Sequence, residues 1–295
     1  MDASQILTSF NTSIAEIDIA LTTPCYLIPE SLRANKDKFY TLAHTYPEIQ
    51  TRLIHNMKYC STNTMIRRAV RDHWFDFHLN DFNRQTRVVP PEDTKLMNKY
   101  FKAFNRIFFF GALTTDRYSY RLERNVPGIR GATSDVRLDH AGAVEHHSPK
   151  SIKCITALYK KPDTTDESLR LKGYVETLLH EMLHAFFNLF TCLCETCMGM
   201  TEKERREKTK TAGASGHGMP WHMVAQRIEE FVKSRLKCEL DLDREWIMAQ
   251  DIYESRMRVS KASVLFHFKE LGMSYESIKQ KVEKIRLDGE SRKAD

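Results

Sequence analysis

Leu178-Leu179-His180-Glu181-Met182-Leu183-His184-Ala185-Phe186-Phe187 is the stretch on which the fold turns. Apolar residues flank it, from Val175 to Leu189 and Phe190, and no Pro or Gly interrupts Glu176 to Phe190. The pattern predicts a helix in the middle of a hydrophobic core. Residues four apart share a helix face, so His180 and His184 can aim imidazole nitrogens at one point. Two unpaired histidines would be costly in such a core. A metal ion removes that cost: zinc suits two neutral imidazoles, a third protein ligand and an open position for water. Glu181 would then stand beside the water and take its proton, the arrangement of a metal-dependent peptidase.

The third ligand is sought downstream. A histidine six residues after His184 would mark one class of zinc peptidase, but position 190 is Phe190. A Glu from a following helix is another route, with Glu195, Glu202, Glu204, Glu207, Glu229 and Glu230 as candidates. Most of these fall in a charge run that reads as a solvated face. Ser215-Gly216-His217-Gly218-Met219-Pro220-Trp221 offers a better one. Glycines flank His217, and Pro220 stands where a new helix would start. His222 is the nearest competitor.

Glu176-Thr177-Leu178-Leu179-His180-Glu181-Met182-Leu183-His184-Ala185, followed by Gly216-His217-Gly218 and Trp221, resembles the SprT-like metalloprotease domain, the catalytic domain of Spartan-type proteases. The likeness covers about residues 95–235. It implies an α+β, zincin-like fold with a small sheet and an active-site helix, here with helical N- and C-terminal additions. It also implies His180, His184 and His217 as zinc ligands and Glu181 as the catalytic base. Eukaryotic members of that family degrade proteins crosslinked to DNA, so DNA, DNA repair and a nuclear location are expected with it. The C-terminal zinc ribbon of two Cys-x-x-Cys pairs seen in several relatives is not present, nor are clear partner-binding tail motifs, which puts the catalytic reading ahead of the DNA reading.

The 295 residues carry a net charge of +6, 41% hydrophobic and 28% charged residues. That is enough apolar content for a proper core, with a mild basic bias compatible with a nucleic-acid partner. The opening Met1-Asp2 lacks the basic and apolar regions of a secretory leader. The longest apolar run, Ile107 to Leu113, is far too short to span a bilayer. Seven cysteines, an odd number, suggest reduced thiols inside the cell.

Three regions are expected: a helical extension over 1–90, the catalytic domain over 91–240, and a helical segment over 241–295. Residues 1–28 give one short helix or a loose drape, and Pro29 to Phe77 shows helical stripes. Arg67, Arg68, Arg71 and His73 could line a phosphate-facing strip, though a solvated face of a helical scaffold is the plainer reading. Glu92-Asp93 start a helix through Tyr100, Phe104 and Ile107. Strands are predicted at 117–122, 136–138 and 152–159, one of which should lie at the sheet edge beside the metal and pair with substrate backbone. His140, His146 and His147 are read as exposed loop residues.

An insertion over 191–215 carries Cys192, Cys194 and Cys197. These could hold a second, structural zinc with a fourth ligand from Cys25, Cys60, Cys154, Cys238 or a histidine. The missing second cysteine pair favours plain reduced thiols, and a Cys194–Cys197 redox pair is a third reading. Trp221 to Val232 reads as a helix, and Trp246 to Tyr253 as a less regular segment. Residues 263–285 read as helix, turn, helix, with Gly272 as a cap, Ser274 as an N-cap and no structure expected beyond Asp288. A plain helical hairpin is favoured there over a DNA-reading pair exposing Lys279, Lys281, Lys284 and Arg286.

The function expected is a zinc endopeptidase acting on protein substrates held on DNA. The alternatives are a non-catalytic, zinc-stabilised DNA- or chromatin-binding module and an intracellular metallopeptidase that needs no DNA. An intact Glu181 counts against the module.

Overall fold

The computed structural model describes residues 46–59, 64–77, 91–115, 117–123, 131–137, 152–159, 167–191, 217–254 and 268–294. Residues 1–45, the histidines at 140, 146 and 147, and the cysteines at 192, 194 and 197 lie outside the described residues, as do the expectations attached to them. The chain divides into two compact units, 1–205 and 206–295. The fold is α+β, mostly helical with one three-stranded sheet.

In the first unit, α1 (Tyr46–Tyr59) buries Ile49, Leu53 and Met57, four residues apart on one face. α2 (Thr64–Arg71) buries Ile66 and Ala69 and leaves Arg67, Arg68 and Arg71 exposed. Arg68 and Arg71 both pair with Asp72, which offsets one of their two charges. α3 (Pro91–Ile107) inserts Met97, Tyr100, Phe101, Phe104 and Ile107 into the core. Its last turn is anchored by Asn105, whose side chain donates to Leu113 O and accepts from Leu113 N. Gly111, at φ 79, turns the chain there and donates its N–H to Asn105 O.

That turn delivers β1 (Tyr118–Glu123), where Tyr118 stacks on Phe101 with ring centroids 5.4 Å apart. β2 (Gly131–Arg137) and β3 (Ile152–Tyr159) complete the sheet in the order β1-β3-β2. β1 runs parallel to β3 and β2 antiparallel to it. β1 and β3 match the predicted strands closely, whereas β2 begins five residues before the expected 136. Gly131 is the first residue of the strand, for a reason given below.

α4 (Glu167–Phe190) packs on β2 and β3. Leu171, Val175, Leu178, Leu179, Met182, Leu183, Phe186 and Phe190 are fully buried, so the helix is covered on nearly every side. The exception is a stripe of half-buried residues, Gly173, Thr177, His180, His184 and Asn188, three or four apart. Both histidines of the motif stand on that stripe.

In the second unit, α5 (Met219–Phe231) ends in a π-helical turn, Val232–Leu236, closed by Lys237 in the left-handed conformation. α6 (Arg244–Glu254) is a regular helix where an irregular segment was expected, with Ile247, Ala249 and Ile252 buried. α7 (Tyr275–Ala294) runs past Asp288, where structure was expected to end. Glu290, Arg292, Lys293 and Ala294 are good helix formers, and a single Gly289 does not stop a helix already nucleated. Gly272 has φ +60, and Ser274 caps α7 by accepting from Ser277 N, both as expected. Glu245 of α6 accepts from Ser274 N and from Lys281, removing one cation from the surface imagined for DNA reading.

Phe186 is fully buried and packs on Phe109, with centroids 5.3 Å apart, and on Phe190 at 4.8 Å. Phe186→Ala should therefore destabilise the chain by about 3–5 kcal/mol, read from the shift of a urea unfolding midpoint.

Candidate metal centre

His180 and His184 sit on successive turns of α4 with their Nε2 atoms 3.1 Å apart. Two imidazole nitrogens bound to one tetrahedral zinc at 2.0–2.1 Å would be separated by about 3.3 Å. The pair is therefore spaced as two ligands of one ion need to be. Burial and the neighbouring His180 push the His184 ring well below the ordinary histidine pKa, which keeps it neutral and able to donate a lone pair.

His217 immediately precedes Gly218, the N-cap of α5. Its ring meets the Trp221 indole edge-on, 4.6 Å between centroids, and Trp221 is itself 1% exposed. Ligand-capable atoms of His180, His184 and His217 all lie within 4.8 Å of one another, and the three residues are half-buried. Such a group can hold a metal ion. Three imidazoles suit zinc, and equally several other first-row ions.

The rival third ligands are otherwise placed. His222 is buried, 1% exposed, in the first turn of α5 and outside the group. Glu229 accepts from Leu242 N at 2.9 Å and from Arg244 at 2.7 Å, so it braces the chain between α5 and α6. Glu230 pairs with Arg227. Glu195, Glu202, Glu204 and Glu207 lie outside the described residues. Gly218, at φ −61, adopts a conformation open to any residue, so its backbone freedom is not what places His217.

Glu181 faces away from solvent, 6% exposed, under β2. Burial raises its pKa, opposed by the charge of His180 and by a hydrogen bond from Thr133. That bond, Thr133 Oγ1 to Glu181 Oε2, is 2.7 Å long. Gly131, two residues earlier on the same strand face, explains how β2 comes so near. A Cβ there would stand 2.6 Å from Thr177 Cγ2 and 2.9 Å from Glu181 Oε1. Gly131 and Thr133 were not identifiable from the sequence: neither residue type is distinctive, and their role exists only through the pairing of helix and sheet. The arrangement can do two things chemically. It can bind a cation through neutral imidazoles, and it can keep a carboxylate beside that cation without spending it as a ligand.

Comparison of the chain with family models, with curated proteins and with solved structures gives no match. Among the described residues, no helix is long and apolar enough to cross a membrane.

Loaded with zinc and desalted, the wild-type chain should retain about one equivalent at the three-imidazole site, and His180→Ala or His184→Ala should leave it near empty. Glu181→Gln should keep the metal; elemental analysis distinguishes the cases. Gly131→Ala should cost about 1–3 kcal/mol in a denaturant titration, since the methyl forces β2 and α4 apart.

Proposed function

We propose that the chain is a zinc-dependent endopeptidase of SprT-like type, with His180, His184 and His217 holding the ion and Glu181 as general base. The observation that carries the reading is the Glu181 carboxylate, next in sequence to one imidazole of a pair 3.1 Å apart and buried against the sheet edge. A purely structural metal site has no use for a carboxylate held there, whereas a hydrolytic one requires it.

When bound, zinc supplies an acidified water and polarises the scissile carbonyl. Glu181 takes the water's proton as the water adds to the carbonyl carbon, then passes that proton to the leaving amine nitrogen. Burial, which raises its pKa, makes the carboxylate a stronger base for the first step. Thr133 holds one carboxylate oxygen, which leaves the other to work. β2 has β3 as its one strand neighbour among the described residues, and in this reading its other edge takes an extended segment of substrate main chain.

The substrate class in this reading is protein held on DNA, which makes the chain a nuclear repair protease. Support comes from α3, where Lys95, Lys99, Lys102 and Arg106 recur along one side and no acidic residue falls between Lys95 and Arg106. Lys99 Nζ lies 4.8 Å from the Trp74 ring centre and Arg68 5.8 Å from it, which sets an aromatic face among cations. A phosphate backbone with unstacked bases is the polyanion that such a surface fits.

Cleavage of a DNA-crosslinked protein should be seen with wild type and be lost, by at least about 100-fold, in zinc-loaded Glu181→Gln. Single-stranded DNA should stimulate the wild type, and Lys102→Glu with Arg106→Glu should remove that stimulation. Equal cleavage with and without DNA would retain the peptidase and remove its DNA link. An inert wild type with bound zinc would leave a zinc-stabilised binding module.

A further inference from the structure

We infer that Thr156 and Thr133 form a one-way chain of hydroxyls that fixes the Glu181 carboxylate, with Thr133 as the positioning residue of the base. The catalytic part of this rests on the peptidase reading above; the hydrogen-bond chain itself does not.

Thr133 and Thr156 are direct partners across the antiparallel β2–β3 pair. Their hydroxyl oxygens are 2.7 Å apart, and Thr133 Oγ1 is also 2.7 Å from Glu181 Oε2 and 3.3 Å from Glu181 O. A threonine hydroxyl has one proton to give and lone pairs to accept with. The Thr133 hydroxyl donates to Glu181 Oε2, so its one proton is spent there. The proton between the two threonines must then come from Thr156. The direction Thr156 to Thr133 to Glu181 is thus set by the carboxylate, although the distances alone leave it open.

Three features suit this to positioning rather than to mere satisfaction of polar groups in a sheet. Thr156 is fully buried, where an unbonded hydroxyl would be costly, so its bond to Thr133 is not readily exchanged for water. Gly131 lies on the same face of β2 as Thr133 and provides the room for the close approach. A carboxylate attached through a flexible side chain loses rotamer freedom when one oxygen is gripped. The two oxygens of Glu181 therefore become inequivalent: Oε2 is held by the sheet, and Oε1 is the one left for the proton transfer.

The test compares Thr133→Val, which keeps the shape and loses the donor, with Thr133→Ser, which keeps the donor. In zinc-loaded protein, Thr133→Val should lower kcat about 10-fold or more while KM stays within about twofold and zinc content is unchanged. Thr133→Ser should restore kcat to within about threefold of wild type. A second readout needs neither metal nor activity. In metal-free protein labelled with carbon-13 glutamate, the infrared difference between wild type and Glu181→Gln isolates the Glu181 carboxylate band. That band should shift in Thr133→Val and keep its place in Thr133→Ser. Thr133→Ala is carried alongside in case the valine variant does not fold, and its band should shift likewise. An unmoved band in the donor-less variants overturns the chain. Equal loss of kcat in the serine and valine variants, or loss of zinc, overturns the positioning role. A shifted band in a protein that cleaves nothing sustains the hydrogen-bond chain and rejects the peptidase reading.

Discussion

The contact on which the rest depends is the one between the start of β2 and the middle of α4. A helix as apolar as Val175 to Phe190 must be buried on most of its circumference, and the chain achieves this with β2, β3 and the aromatic residues of α3 and the turn that follows it. Burying such a helix also buries what it carries. Glu181 falls on the sheet side and the two histidines on the residual polar stripe. The hydrophobic effect thus sorts the motif's three polar residues into different surroundings, one carboxylate under cover and two imidazoles at the boundary. A carboxylate under cover needs a donor, and Thr133 provides it.

Neutral imidazoles and an acceptor-only carboxylate are complementary demands. The same burial that lowers the His184 pKa raises that of Glu181. Desolvation disfavours charge on either group, so it leaves the imidazole free to donate to a cation and makes the carboxyl a stronger base. Burial is the largest cause in both, and the neighbouring His180 acts on each as well, lowering both. A chain that buried α4 less completely would lose both effects together.

Much of this was legible in the sequence, and the reasons differ by element. α4 announces itself through an unbroken apolar run with histidines four apart, a signal in which local pattern and chemistry coincide. α3 is equally clear, because acids at its start and aromatics at helical spacing agree. β3 is a continuous apolar-rich run and was placed correctly. The start of β2 was missed because Gly131, Ala132, Thr133 and Ser134 have no strand-like alternation. They belong to the strand because of what lies across from them on β3 and beneath them on α4. The end of α7 was missed for the opposite reason, since polar composition was read as lack of structure although its residues favour helix. Of the site, the histidines and Glu181 could be read in advance. Thr133, Thr156 and Gly131 could not, since their importance comes from tertiary pairing alone. The choice of His217 over His222 followed from the glycines beside it, yet what separates the two is burial: His222 is packed in the core and His217 is not.

Three imidazoles on a single ion is the central claim, and the rival holder of zinc is the thiol cluster at 192, 194 and 197. X-ray absorption at the zinc edge of protein loaded with one equivalent separates them directly. The account predicts a shell of nitrogen and oxygen scatterers at about 2.0–2.1 Å with the outer-shell signature of imidazole and an open position held by water. A dominant sulfur shell at about 2.3 Å would contradict it.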